Sequence, residues 1–191
     1  CEGDQAAFAD AGKSVVFRRE HRIWLRELAS GKEQQISPEA WTHCSFPNAS
    51  PDGKLVAVAS RLLAGYNIYL VPRDGGEARE LVKGVGTCDP RWAPSGTQLS
   101  YQTETNIYTI KPNGKDKYQV TFGGGVQHYA GFSPDEKKLV YCQGPGPNGP
   151  WQIYSVSLVV DEDAVVLTKE GSNLYPDLGR VAVTPAAAKK E

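Results

Sequence analysis

The sequence predicts an all-β fold, namely a β-propeller of about four four-stranded antiparallel blades in a small closed or incomplete ring. Three observations predict it. A turn pattern recurs four times at nearly constant intervals, and short stretches with strand periodicity follow every copy. No stretch of any length has helical periodicity.

The repeated turn is clearest in its second copy, which reads SPDGK from Ser50 to Lys54. Proline fixes φ, aspartate bonds to its own backbone, and glycine adopts a positive φ without steric cost. The other copies lie at residues 10–13, 93–97 and 133–137. The equivalent positions are Gly12, Gly53, Gly96 and Glu136, at spacings of 41, 43 and 40 residues.

Further short strands follow each turn. The first alternates in hydrophobicity, as with Val56 and Val58, so one of its faces is expected to be more deeply buried. The second carries an apolar pair such as Ile68 and Tyr69, and a third short strand ends the unit. With the strand that precedes the turn, each unit of about 40 residues has four strands.

Stacking of the units follows from their size. A four-stranded antiparallel unit cannot bury both of its faces alone, so neighbouring units must cover one another. Radial stacking achieves this and leaves only short, protected edges. The repeat therefore predicts a propeller.

The second unit resembles the TolB-type, WD-like propeller repeat. The resemblance rests on the SPDGK turn, the apolar strand after it, the Asn67 to Tyr69 stretch and the Asp74 to Ala78 segment, and it extends over roughly residues 4 to 178. It implies a TolB-like architecture. Similar repeats occur in periplasmic scaffolds, in the propellers of prolyl oligopeptidase relatives and in some polysaccharide lyases, so the resemblance is informative about fold and nearly silent about chemistry.

We expect a single propeller domain over residues 1–183. Its blades are expected at approximately 4–40, 41–83, 84–123 and 124–170, followed by a closing strand at 173–183 and a C-terminal tail at 184–191. The fifth unit is incomplete, because Gly179 stands where the signature turn should begin. Either the last strand closes or caps a four-bladed arrangement, or the chain is a piece of a larger propeller completed by other residues or by a partner.

The composition excludes some functions and suggests no catalysis. With 21 Lys and Arg, 22 Asp and Glu and a formal net charge of −1, the chain has no broad basic surface for nucleic acid. Its apolar segments are strand-sized, too short for a transmembrane helix. No GxSxG, HExxH or P-loop motif occurs, so we expect a non-catalytic chain without a cofactor.

Cys1 is the first residue of a sequence that contains no methionine. We interpret it as the acylated first residue of a mature bacterial lipoprotein, in the periplasm or at the cell surface, in keeping with the TolB-like resemblance. Each buried methylene of such an anchor contributes about 0.8 kcal/mol to membrane binding. The alternative is that Cys1 marks only a fragment boundary.

Four polar residues lie at or beside the starts of the predicted inner strands and are expected to ring one mouth of the channel: Asp4, Cys44, Cys88 and His128. Their ligand atoms suit a borderline-soft cation. No short paired spacing such as CxxC supports such a site, so we expect no metal. A disulfide between Cys44 and Cys88 is an alternative in an oxidising compartment, and Cys142 is expected in the core.

The longest departure from the repeat is a stretch rich in glycine and proline in the fourth unit. Proline cannot donate to a strand ladder, so the stretch is predicted to be an exposed hairpin loop outside the sheet. We interpret it as a partner-binding loop, the alternative being a tolerated insertion. Its residues are Gly144, Pro145, Gly146, Pro147, Asn148, Gly149 and Pro150.

These features predict a non-catalytic extracytoplasmic propeller that acts as a protein–protein interaction scaffold or as an accessory subunit of a cell-envelope or membrane complex. Its expected partners are other envelope or membrane-complex proteins, and the membrane through the lipidated N-terminus, with no nucleic acid. Two alternatives stay open. The chain is the propeller portion of a larger enzyme, either a serine peptidase gating domain or a polysaccharide lyase, or it is a small ligand- or metal-binding propeller.

Overall fold

The structure, a computed structural model, describes residues 4–61, 65–84, 86–160 and 162–176. These residues form four four-stranded antiparallel sheets, each with its strands in chain order, as expected for propeller blades. No helix in these ranges is long and apolar enough to cross a membrane. The strands are β1 (Asp4–Ala9), β2 (Ser14–Arg19), β3 (Arg22–Glu27), β4 (Glu33–Gln35), β5 (Cys44–Ala49), β6 (Leu55–Arg61), β7 (Tyr66–Pro72), β8 (Arg79–Val82), β9 (Cys88–Trp92), β10 (Leu99–Thr103), β11 (Asn106–Ile110), β12 (Tyr118–Gln119), β13 (Val126–Phe132), β14 (Lys138–Gly144), β15 (Gln152–Ser157) and β16 (Val165–Val166).

The first strand of each blade is the innermost. β1 packs beside β5, β5 beside β9 and β9 beside β13, whereas no comparable contact joins β13 to β1 among the described residues. The four blades therefore form an open arc. Of the predicted closing strand, residues 173–176 are described and form no strand. Cys1, Gly179 and the tail at 184–191 lie outside the described residues.

Apolar cores lie between adjacent blades. Val56 and Val58 of β6 pack against the first blade, whereas Ala57, between them, packs against the third. This follows from the period of a strand, in which alternate side chains point to opposite faces. A third core joins Leu139 of the fourth blade to Ile107 of the third. Both faces of the second blade are thus buried.

The four repeated turns share one backbone feature. Gly12, Gly53 and Gly96 have φ values of +87°, +70° and +73°, and Glu136, at the equivalent position of the fourth turn, has a φ of +58°. The positive φ predicted for this position is therefore present in every copy, including the one without glycine.

Side chains close the second turn on itself. Ser50 Oγ donates to Asp52 Oδ1 at 2.6 Å, and the Lys54 backbone N–H donates to the same oxygen at 3.1 Å. The hydroxyl bond is the main cause that lowers the pKa of Asp52, because it stabilises the charged carboxylate. In the fourth turn Ser133 and Asp135 repeat this arrangement, also at 2.6 Å.

Successive turns also touch one another, which the sequence did not predict. A Cβ on Gly53 would lie 2.0 Å from Asp10 Oδ1 of the first turn, and one on Gly96 would lie 3.5 Å from the proline of the second. Between the third and fourth turns, Ser95 Oγ donates to the Glu136 carboxylate at 2.9 Å. The repeated turns are therefore contact points between blades.

Gly53→Ala should destabilise the protein more than Gly12→Ala. Both changes place alanine at a positive φ, which costs about 1–2 kcal/mol, and at Gly12 the new Cβ meets no described residue within 4 Å. At Gly53 it displaces the Asp10 carboxylate from a 2.7 Å ion pair with Arg73 of the second blade. By urea denaturation we expect the free energy of unfolding to fall by about 3 kcal/mol for Gly53→Ala and about 1–2 kcal/mol for Gly12→Ala. Equal losses would contradict a stabilising contact between the turns.

Candidate functional site

Every inner strand carries a β-bulge at the same place. The pairing of the inner strand with its neighbour shifts register in all four blades, and each bulge holds a non-glycine residue at positive φ. Tyr175, in the described part of the fifth unit, has the same backbone conformation. The residues and their φ values are Gln5 (+49°), Phe46 (+53°), Asp89 (+51°), Tyr129 (+58°) and Tyr175 (+58°).

Most of these residues line a cleft, which we call the inner-strand groove and define by Gln5, Phe46, Arg91, Tyr129 and Tyr175. A cavity of about 270 Å³ lies among these five residues together with Ala6 and Pro47. A second cavity of about 500 Å³ shares Arg91, Tyr129 and Tyr175 and continues past Trp92. Arg91 and the two tyrosines therefore line both cavities.

The groove is fixed by bonds between neighbouring inner strands. Gln5 Oε1 accepts a hydrogen bond from the Phe46 backbone N–H at 2.8 Å. Asn48 Oδ1 accepts one from the Trp92 backbone N–H, also at 2.8 Å. Because each amide side chain spans two blades, the spacing of the strands does not depend on apolar contact alone.

The groove contains aromatic surface and unused donors. The Tyr129 and Tyr175 rings have centroids 4.3 Å apart, and burial, followed by the bond to the Tyr175 hydroxyl, raises the pKa of Tyr129. Among the described residues, Arg91 forms no ion pair or side-chain hydrogen bond, and the buried Trp92 Nε1 has no acceptor. The groove therefore offers aromatic contact together with donors suited to an acceptor such as a carboxylate.

A polar cluster lies on β9 and β13, the inner strands that carry Arg91 and Tyr129. Cys88 Sγ lies 3.8 Å from Asp89 Oδ2, which lies 3.7 Å from His128 Nδ1. The Cys88 thiol also donates to Gln102 Oε1 at 3.4 Å, and the His128 ring meets the edge of Trp151 at a centroid distance of 5.2 Å. Burial and the neighbouring Asp89 carboxylate raise the pKa of Cys88. We call Cys88, Asp89 and His128 the polar cluster.

The structure brings together two of the four predicted channel-mouth residues. Cys88 and His128 belong to the polar cluster. Asp4 instead forms an ion pair with Arg18, and Cys44 is fully buried, with its Sγ 3.8 Å from Ser60 Oγ.

The cysteines of the described residues are free thiols. Cys44 and Cys88 are therefore not joined by the disulfide that was an alternative from the sequence. Cys142 is fully buried in β14, as expected, and burial raises its pKa to about 11.

Asp89 and the groove tyrosines were missed from the sequence. Cys88 and His128 each lie four residues before the last residue of their inner strand, Trp92 and Phe132, but the bulge also brings to the site the residue that lies three positions before it. The repeated offset is present in the sequence at Phe46, Asp89, Tyr129 and Tyr175. These positions come together only because of the bulge, and no residue type in the sequence predicts that bulge.

The prediction for the hairpin loop is wrong at its first residue. Gly144 was expected in an exposed loop outside the sheet, but it is buried, belongs to β14 and pairs with Val126. Its lack of a side chain explains this, because a Cβ there would lie 3.0 Å from the Trp151 ring. Pro147 and Asn148, at the tip of the loop, are exposed as predicted.

Comparison with known proteins is decisive about the family. Residues 9–178 match the family described as TolB beta propeller domain. The chain belongs to the TolB β-propeller family. This match confirms the resemblance to the TolB-type repeat that the sequence predicted.

The TolB-family chain also resembles individual proteins over part of their length. Dipeptidyl-peptidase 5 of Porphyromonas endodontalis is 35% identical over 104 residues, which cover 48% of this chain and 15% of that protein. An uncharacterised protein of Agrobacterium fabrum is 28% identical over 152 residues, which cover 76% of this chain and 51% of that protein. The chain thus spans about half of the second relative and much less of the first.

Solved structures share its fold. TolB from Acinetobacter baumannii superposes with a TM-score of 0.71 at 18% identity, over 85% of this chain and 42% of that one. An oligogalacturonate lyase in complex with manganese superposes with a TM-score of 0.67 at 16% identity, over 88% of this chain and 54% of that one. At these identities the likeness concerns the fold alone.

Proposed function

We propose that this TolB-family chain is a non-catalytic, extracytoplasmic propeller that serves as a docking scaffold or accessory subunit of a cell-envelope complex. The inner-strand groove is the observation that carries the proposal. Its ligand is an extended segment of a partner protein that presents an apolar or aromatic side chain beside a carboxylate.

The chemistry of the groove supports this kind of ligand. Aromatic side chains provide large contact areas at low conformational cost, and Tyr, Trp and Arg are the residues that dominate binding energy at protein interfaces. Arg91 is half-buried and forms no ion pair among the described residues, so a carboxylate could accept two charge-assisted hydrogen bonds from its guanidinium group. Two cavities that share these lining residues would accommodate neighbouring side chains of one extended peptide.

The loop from Pro145 to Pro150 is a second candidate contact. Its tip at Pro147 and Asn148 is exposed, whereas its end is held by Trp151, whose backbone carbonyl accepts from Asn173 at 2.8 Å. A tip held at its base is suited to recognition, because little of it must become ordered on binding.

Lipidation of Cys1 completes the proposal. An acyl anchor would hold the propeller at a membrane surface, where envelope partners are concentrated. One acyl chain binds a membrane only reversibly, so stable attachment requires more than one. The membrane is in this sense a second partner, reached through the N-terminus.

A second candidate function is the propeller portion of a larger enzyme. The 35% identity to Dipeptidyl-peptidase 5 favours this second function, because the matched residues are only 15% of that protein and so correspond to one part of a larger chain. In this case the groove would admit or position a peptide substrate for a catalytic domain elsewhere in the native protein.

Arg91→Gln and Tyr175→Ala should each reduce partner recovery at least about tenfold, since they remove a cation that is unpaired among the described residues and an aromatic side chain that lines the groove. The measurement is quantitative capture from detergent-solubilised envelopes of the source organism. Tyr118→Ala is the matched control, because Tyr118 and Tyr175 are both 65% exposed and Tyr118 lies on the outermost strand. A chain without residues 146–148 tests the loop. Wild-type recovery by both groove variants would contradict docking in the groove.

The intact mass of the protein purified from its source should equal that of this chain plus acyl groups on Cys1, and Cys1→Ser should release the protein from the membrane fraction. An unmodified Cys1 at the N-terminus would remove the anchor. A mass several-fold above 20.7 kDa, with peptides of a hydrolase or lyase domain, would make the enzyme portion the better account.

A further inference from the structure

The polar cluster has unsatisfied groups in a place where they are costly. Asp89 is 2% exposed, and its Oδ1 has no hydrogen-bond partner among the described residues. His128 Nδ1 is also buried, and it has no hydrogen-bond partner in the part of the chain that the structure describes, because the 3.7 Å that separates it from Asp89 Oδ2 is too long for a hydrogen bond. A charged carboxylate that is buried with a free oxygen is costly unless a cation compensates its charge.

A β-bulge brings the groups of the polar cluster together. Adjacent residues of a regular strand point to opposite faces, so Cys88 and Asp89 would normally be separated. The bulge in β9, with Asp89 at a φ of +51°, brings Sγ and Oδ2 to within 3.8 Å. His128 arrives from the equivalent position of β13 in the next blade. The cluster therefore joins two blades at their innermost strands.

We propose that Cys88 Sγ, Asp89 Oδ2 and His128 Nδ1 bind a Zn²⁺ ion between the third and fourth blades. Zinc accepts thiolate, imidazole and carboxylate ligands together, and three protein ligands with one open position form a recognised arrangement. The proposal is independent of docking in the groove.

The distances match this ion. Zinc–ligand bonds of about 2.0–2.3 Å in a tetrahedron place the ligand atoms about 3.3–3.6 Å apart. Two of the separations in the cluster are 3.8 Å and 3.7 Å, and all three are within 4.8 Å. Rotation of Cys88 and of His128, whose side chain is 24% exposed, would bring the ligand atoms to the separations that zinc requires. The thiol proton is released to solvent when the metal binds.

The fourth position is open to water or to the amide oxygen of Gln102. The Gln102 Nε2 donates to the Glu104 carbonyl at 3.0 Å, which turns Oε1 toward Cys88. Since its ligands come from neighbouring blades, the ion cross-links β9 to β13.

The test uses the full chain, freed of metal with a chelator under reducing conditions and titrated with Co²⁺, whose thiolate complexes absorb in the near ultraviolet. We expect one equivalent to produce a sulfur-to-cobalt band that Zn²⁺ removes. Cys88→Ser should abolish the band, and Asp89→Asn and His128→Gln should each weaken binding at least about tenfold. Zn²⁺ should raise the Tm of the wild type and leave that of Cys88→Ser unchanged.

Two cysteine variants serve as controls, and circular dichroism in chelator checks that all variants fold. Cys1→Ser changes the cysteine that lies outside the described residues, and Cys44→Ser removes another buried thiol of an inner strand. Both should bind Co²⁺ as the wild type does. The absence of a band in the wild type, its persistence in Cys88→Ser, or its loss in Cys1→Ser would overturn the proposal.

Discussion

Burial of each blade against its neighbours is the constraint on which the rest of this structure depends. A four-stranded sheet of this length has two faces and no helix to cover either, so stability must come from the cores between blades. At the outward face of the first blade, polar groups take the place of such a core. There the Arg19 guanidinium lies 4.1 Å from the Trp24 ring centroid and forms a 2.8 Å ion pair with Glu33.

The candidate sites follow from the same arrangement. Inner strands of neighbouring blades lie side by side, and each has a bulge at one level, so the bulged side chains converge. The bulge position recurs in every blade, but its side chain differs: it is Gln5, Phe46, Asp89 and Tyr129 in turn. Groove and polar cluster are therefore two uses of one repeated backbone feature, and both lie across a junction between blades.

Much of the fold was predictable from the sequence, because turn chemistry and strand periodicity are local signals. The positive φ at Gly53 and the opposed faces of Val56 and Ala57 follow from residue type and alternation. Gly144 was misplaced because glycine signals a loop as readily as it accommodates the Trp151 ring inside a strand. Of the polar cluster, Cys88 and His128 were found by their offset, whereas Asp89 required knowledge of a bulge. Contact between turns, as between Ser95 and Glu136, depends on the distance between blades and is not encoded locally.

The central claim, that burial between blades supplies the stability, is tested most directly by hydrogen exchange of the full chain, followed by mass spectrometry in the presence of chelator. The second and third blades have a neighbour on both sides, so the amides of β6 and β10 should exchange most slowly. Those of β2 and β14, whose blades have one neighbour each within the described residues, should exchange sooner. Equal or greater protection of β2 and β14 would contradict the account.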